Sequence, residues 1–311
     1  MDILSDILQT LKLRGTVYFH ASFHAPWGMT IPEGEFANFH IVTDGTCWMK
    51  PAQDQNPIPV GEGDVLIFPR GESHILCDDP RSEAIQANDL LSCPRWVADL
   101  AGIAFGGDGA RTTRLICGHF EYDRDFPHPL FESLDPCIHI KAGEATDTSL
   151  IAQASKLAAD LSRHARPGND AVVDRLAEAL FIQAMVAHVR NRDDSDSFLV
   201  AVQDQHIGQA LKLLHADMAH EWTLPELAKA CHMSRSVFAE RFRALVGEPP
   251  MVYLARWRML KARELLVGTT LPICDIAETV GYQSEFAFAK AFKKIVGNTP
   301  GSLRREARQG G

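Results

Sequence analysis

Arg235, Ser236 and Arg241 are residues whose types and spacing suggest a chemistry, and that chemistry is recognition rather than bond-making. They lie in a stretch, 235–246, that reads as one helix. Val237, Phe238, Phe242 and Leu245 make its apolar face, and Arg235, Arg241 and Arg243 lie off it. A guanidinium fork on an exposed helix matches a guanine edge or a phosphate. Further along, Gln283, Ser284, Glu285, Lys290 and Lys293 occupy a similar setting. The second chemistry is that of thiol and imidazole. Cys117 and His119 stand two apart in an apolar run, so in a strand they share a face, and a neighbouring imidazolium would favour the thiolate that oxidants attack. A buried, inert thiol is the plainer account of the same residues. No nucleophilic triad, phosphate loop or paired-carboxylate motif is identifiable.

The elements that position the cations are written twice. Residues 224–231 read as a short helix with Thr223 as N-cap and Pro225 in the first turn, His232-Met233-Ser234 as the break, and Ser234 as cap of the helix that follows. The second copy runs through 272–278, turns at Gly281-Tyr282-Gln283 and continues as a helix over 284–296. Ser234 and Ser284, Phe238 and Phe288, Phe242 and Phe292, Gly247 and Gly297, and Pro250 and Pro300 repeat at an offset of 50, whereas Ala228 and Ala277 differ by 49, which puts one extra residue in the second turn. Helix, tight turn and second helix with exposed cations is the helix-turn-helix plan, whose second helix enters the major groove. A helical hairpin that merely packs is the bland alternative, and duplication weighs against it. Between the copies, 251–267 makes one helix, roughly 25 Å long at about 1.5 Å per residue. With the offsets of the flanking helices, that suits two major-groove faces about 34 Å apart.

These residues resemble the DNA-binding domain of the AraC/XylS family of bacterial transcription regulators. The match rests on Ala228, Met233-Ser234, Phe238, Arg241-Phe242, Gly247, Pro250, Tyr253, Arg258-Met259, Ala262 and Leu265-Leu266, and then on Ile276-Ala277, Val280-Gly281-Tyr282, Ser284, Phe288, Phe292-Lys293-Lys294, Gly297, Pro300 and Arg304. Phe286 and Ala289 replace serines often found in the second recognition helix, leaving fewer hydroxyls for phosphate contacts. The resemblance implies double-stranded DNA as partner, RNA polymerase as a further one, and activation as the mode.

From Gly15 to about Leu115 the texture is short apolar runs broken by Gly, Pro, Asn and Asp, which predicts an all-β barrel or sandwich. Gly63-Asp64, the run Val65-Leu66-Ile67-Phe68, Pro69-Arg70-Gly71 and then His74 resemble the second cupin motif, and Gly34 with His40 resembles the start of the first. Metal-binding cupins carry a second histidine and a glutamate where this chain has Val42 and Thr46 or Cys47. His40 and His74 are too few for a tight site; Cys47 is the candidate third ligand, and zinc the metal that the set would suit. Histidines left in a barrel wall, with Cys47 in the core, are the alternative. The β region ends at Ile116-Cys117-Gly118-His119-Phe120 and resembles the cupin-type sensor of one branch of these regulators, some of which respond to oxidants through cysteine.

The net charge of −9 divides unevenly: residues 201–311 hold 15 basic and 11 acidic residues, giving +4, and residues 1–200 hold 16 and 29, giving −13. Phosphate contact needs clustered cations rather than a positive total. Seven scattered cysteines without a Cys-x-x-Cys spacing argue against a disulfide framework. No apolar run approaches the roughly 18 residues of a membrane span, and the first residues are acidic, so a cytoplasmic protein is expected. The expected architecture is α+β and multidomain. It comprises a cupin-like β-barrel over 1–145 opening with an amphipathic helix at 2–13, a helical dimerisation segment over 146–192, a linker at 193–203, and an all-α double helix-turn-helix domain over 204–307. In the dimerisation segment the apolar stripe is wider than one contact face needs and is expected to pack on the barrel and on a partner subunit, with Val173, Leu176 and Leu180 supplying the surface for a homodimer. The expected function is a transcription regulator controlled by a small-molecule, redox or metal signal. A metal-dependent cupin enzyme fused to a DNA-binding module is the rival, and the missing ligands weigh against it.

Overall fold

The computed structural model describes residues 3–10, 14–51, 56–87, 103–121, 128–132, 134–142, 148–163, 167–190 and 198–309. The strands are β1 (Arg14–His24), β2 (Gly28–Ile31), β3 (Ala37–Asp44), β4 (Cys47–Pro51), β5 (Ile58–Val60), β6 (Val65–Phe68), β7 (His74–Cys77), β8 (Ile85–Gln86), β9 (Ile103–Gly106), β10 (Thr112–Glu121) and β11 (Ile138–Ile140). The helices are α1 (Ile3–Thr10), α2 (Pro129–Glu132), α3 (Thr148–Arg163), α4 (Asn169–Arg190), α5 (Phe198–Gln203), α6 (Ile207–Ala216), α7 (Leu224–Ala230), α8 (Arg235–Val246), α9 (Pro250–Gly268), α10 (Ile273–Thr279), α11 (Glu285–Val296) and α12 (Pro300–Gln309).

Two units result. In the first, a six-stranded sheet ordered β11-β6-β3-β10-β1-β9 faces a five-stranded sheet ordered β5-β4-β7-β2-β8. Between them lies a core of Phe23, Trp27, Met29, Val42, Cys47, Met49, Leu66, Phe68, Leu76, Leu115 and Cys117. Each large side chain taken from water there contributes roughly 1.5–3 kcal/mol. β6 is buried at all four positions, which is why it reads as an unbroken Val-Leu-Ile-Phe run instead of an alternating one. The expected barrel is present. Outside it, α4 covers the larger sheet: Phe181 meets Phe120, and the carboxylates of Glu178 and Asp174 accept from the backbone N–H groups of Gly15 and Val17 at 3.1 and 2.9 Å, beside the bulge in β1.

That packing corrects the expected dimer surface. Val173 and Leu180 are buried within this chain, while Val172, one position round the helix, is 45% exposed. The stripe of α4 is wide because the helix packs both on the larger sheet and on α3.

The second unit holds α1, α2 and α5 to α12. The bounds expected for the sensor took in α1 and α2, although the stripe of α1 was expected to need the neighbouring domain or a second subunit, and α5 stands inside the expected linker at 193–203; residues 191–197 lie outside the described residues. α1 buries Ile3 and Ile7 and, on the same face, the carboxylate of Asp6. Asp6 Oδ2 accepts from His215 Nδ1 at 2.8 Å, Oδ1 lies 3.2 Å from Lys261 Nζ, and the Tyr253 hydroxyl is 2.7 Å from His215 Nε2. An ionised Asp6 can only accept, so His215 carries its proton on Nδ1 and takes the Tyr253 O–H at Nε2. Burial alone would raise the Asp6 pKa, but His215 and Lys261 outweigh it and the group sits below its usual range. Burial lowers His215 despite Asp6. From the segment before α2, His128 packs edge-on against Phe198, Tyr253 and Trp257. Among the described residues no helix is long and apolar enough to cross a membrane.

Candidate nucleic-acid interface and buried histidine cluster

Each helix-turn-helix is built by local rules. Thr223 caps α7 by accepting from Glu226 N, and Pro225 occupies its first turn. The turn then needs a left-handed residue: His232 supplies φ +55 in the first unit and Gly281 φ +82 in the second. A side chain at 281 would strike the backbone of Ala219 at 2.7 Å. Met233 N bonds to Ala228 O and Tyr282 N to Ala277 O, so the extra residue of the second turn follows the left-handed position and is Gln283. Phe238 and Phe242 are sealed in the core in α8, and Phe288 and Phe292 in α11, with ring centroids 5.8 and 5.5 Å apart. Gly247 and Gly297, at φ +88 and +89, end the two helices.

The faces opposite those phenylalanines are open. On α8 they present Arg235, Ser236, Glu240 and Arg243; on α11, Glu285, Phe286, Lys290 and Lys293, all exposed. Val237, expected on the apolar face, is 53% exposed. Ser284 caps α11 through Ala287 N, but Ser234, at the corresponding position, makes no side-chain cap bond. Two expected DNA contacts have partners within the chain. Arg241 is bound through Nε and Nη2 to the Asp204 carboxylate, whose other oxygen caps α6 at His206 N and Ile207 N. Gln283 Nε2 donates to Glu221 at 2.6 Å. Arg241 therefore ties α8 to the start of α6 rather than standing free to read a base.

Within the barrel, the pairing β3–β10 sets Cys117 opposite His40, and β3–β6 sets His40 opposite Leu66. His40 Nδ1 lies 3.0 Å from Cys117 Sγ, and its Nε2 lies 2.7 Å from His74 Nε2; His74 Nδ1 is 2.8 Å from the Glu72 carbonyl. That carbonyl fixes the direction of the whole chain. It can only accept, so His74 is protonated on Nδ1 and accepts at Nε2; His40 donates from Nε2 and accepts at Nδ1, and Cys117 donates its S–H. The His74 ring stacks flat on Phe68 at 3.4 Å between centroids. Burial pushes His74 down to about 4, and burial followed by His74 depresses His40 strongly. Burial, then Cys47, pushes the Cys117 thiol well above its ordinary range. The resting chain is uncharged.

The open readings of these residues are decided here. Of the histidines that could accompany Cys117 it is His40 that does, and His119, the neighbour in sequence, turns instead to the Glu121 carboxylate at 3.1 Å and the Phe36 ring. Of the two readings of the thiol the plainer one holds, for it is buried and held protonated rather than activated. The set of His40, Cys47 and His74 does not fit zinc: His40 and His74 aim their Nε2 atoms at each other, the sulfur next to His40 is that of Cys117 on the far nitrogen, and Cys47 is a core residue with its thiol pushed up to about 12 by burial. Among the described residues no group of three His, Cys, Asp or Glu side chains could hold a metal ion.

Comparison with known proteins places both units. A cupin family model matches residues 2–190 and a helix-turn-helix domain model residues 227–306. A putative AraC-like transcription regulator of Streptomyces antibioticus is 33% identical, over 98% of this chain and 99% of its own. The HTH-type transcriptional regulator AlkR of Acinetobacter baylyi is 29% identical, over 99% and 100%, and the RCS-specific HTH-type transcriptional activator RclR of Escherichia coli K12 is 26% identical, over 99% and 99%. These relatives are named as regulators, which bears out the reading of a regulator rather than an enzyme. With both family models and a full-length relative in agreement, the chain belongs to the AraC-like DNA-binding transcription regulators, with a cupin N-terminal domain.

Proposed function

We propose that this regulator reads DNA through α8 and α11, each lying in a major groove, and that its cupin unit receives the controlling signal at the Cys117–His40–His74 cluster. The DNA contacts are Ser234, Arg235 and Ser236 in the first unit and Ser284, Glu285, Lys290 and Lys293 in the second. Arg241 and Gln283 support those helices from behind. The observation that carries the sensing half is the cluster itself: three polar side chains, joined in one directional hydrogen-bond chain, sit in an otherwise apolar barrel core where each costs desolvation. A signal that modifies or displaces the Cys117 S–H leaves His40 Nδ1 without its donor and unsettles both histidines. RclR is named as an activator specific for RCS. By the same logic we assign activation to this chain, with RNA polymerase as protein partner, a homodimer as the working form and the cytoplasm as its compartment.

The test follows transcription from a target promoter for wild type, Cys117→Ser and Cys47→Ser, with and without mild oxidant. Loss of the response in Cys117→Ser alone is the expected result. A wild-type response from Cys117→Ser would refute the thiol as receiver and leave a small molecule as the signal.

A further inference from the structure

Among the described residues, the largest apolar group that the DNA-binding unit shows to solvent lies on α11, one of the two helices proposed to read DNA. Phe286 is 82% exposed, in the first turn of α11. It has no work in the core, which Phe288 and Phe292 already close from the opposite side of the helix. By the 50-residue offset it occupies the place of Ser236, so a small hydroxyl in one recognition helix is replaced by an exposed ring in the other. Lys290 and Lys293 follow it at i+4 and i+7, making one stripe of a ring and two ammonium groups. Cations at that spacing match a phosphate backbone, and in the major groove between the backbones the bases offer one apolar feature, the 5-methyl group of thymine.

We propose that Phe286 is a specificity-determining residue whose ring packs on a thymine methyl in the major groove read by α11, giving the second helix-turn-helix a preference that the first, with Ser236, lacks. The inference rests on α11 being a recognition helix and adds what it recognises. Lysines on phosphates hold the helix in place without regard to sequence; the ring selects thymine over cytosine at one step.

The experiment uses the full-length chain and duplexes selected by it from a random-sequence library. Each thymine of a selected duplex is replaced singly by deoxyuridine, which removes the methyl and keeps the pairing. For wild type, one or two positions should lose affinity by about fourfold, the worth of one buried methyl-sized group. Phe286→Ser, exposed and therefore free to fold, should bind the parent duplex more weakly and be indifferent to deoxyuridine at those positions. Deoxyuridine neutral everywhere for wild type, or an undiminished penalty in Phe286→Ser, would overturn the proposal. So would a Phe286→Ser protein that binds DNA like wild type and fails only in transcription, because the ring would then serve a protein partner. The double variant Lys290→Ala, Lys293→Ala separates the two levels. If it weakens all duplexes and flattens the salt dependence while the methyl effect is absent, α11 remains a recognition helix and the assignment of Phe286 falls. If it changes nothing, the reading of α11 falls, and the proposal with it.

Discussion

Replacing Asp6 by alanine should destabilise the DNA-binding unit, although residue 6 is 229 positions before the first recognition helix. Its carboxylate is 4% exposed and serves two donors, His215 Nδ1 and Lys261 Nζ. Losing one partner of a fully trapped ion pair costs about 3–5 kcal/mol. Here the ammonium of Lys261, at 21% side-chain exposure, can turn to water, so the stranded group is the buried His215 N–H, worth about 1–3 kcal/mol. A net loss of about 2 kcal/mol follows, equal to roughly a thirtyfold rise in opening. Hydrogen exchange in α6 and α9 should accelerate by that factor in Asp6→Ala, and less in Asp6→Asn, whose amide oxygen still accepts from His215. Tyr253→Phe removes the bond on the other side of the same imidazole, so the double variant should cost less than the two single ones together. Exchange in α6 and α9 within threefold of wild type would refute the reasoning, since the network would then be indifferent to its buried anion.

Two further outcomes can be checked. The buried histidines His74 and His128, with pKa values near 4 and 3 against 6.5 when exposed, stay neutral in the folded chain. Depressed values stabilise the fold above pH 6.5 and lose that contribution as pH falls towards 4 and 3. Each should therefore cost about 2 kcal/mol between pH 7 and pH 5, and a thermal midpoint flat across that range would contradict it. Arg235→Ala should cost about 1–3 kcal/mol in DNA affinity and relax one base position, whereas Arg241→Ala should leave base preference unchanged; footprint titration of the two separates a reader from a brace.

What the sequence disclosed follows from the range of the forces involved. Caps, turns and the phenylalanine pairs of the two helix-turn-helix units act within a few residues of each other, so offsets of 50 for Ser234, Phe238, Phe242 and Gly247, and of 49 for Ala228 ahead of the turn, exposed the repeat. Strand pairing is a long-range choice. Cys117 and His119 are neighbours in the chain and share a face, yet the register of β10 on β3 gives Cys117 to His40, 77 positions away. Amphipathic α1 announced that it needed a partner surface without saying whose, and only the placing of His215 and Lys261 answers that. In α4 the stripe of apolar residues and its breadth were legible, but not how much of it this chain covers itself: Val173, Leu180 and Phe181 are all buried. Arg241 looked like a free cation because the carboxylate that claims it, Asp204, stands 37 positions earlier.

The two buried histidine networks differ in how they end, and the difference bears on how a signal could act. His215 ends on a carboxylate, so a proton gained there meets an anion, and Lys261 stands beside that carboxylate as its counter-charge. The chain through His40 ends on a carbonyl at Glu72 and on a thiol at Cys117, with no anion to receive a proton and no cation to hold a thiolate. Burial therefore suppresses both the acid and the base route, and ordinary changes of pH near neutrality leave this chain as it is. Its balance can be altered by a covalent change at sulfur or by a ligand that brings its own charge or donor. Either has a differential effect, which a regulatory signal needs if it is to shift a population: it is felt in the state where the thiol, His40 and His74 are aligned and absent where they are not. If this cluster receives the signal, as proposed, the signal has to bring its own chemistry: a ligand with its own charge or donor, or a reagent that reaches Cys117 only once the buried alignment opens.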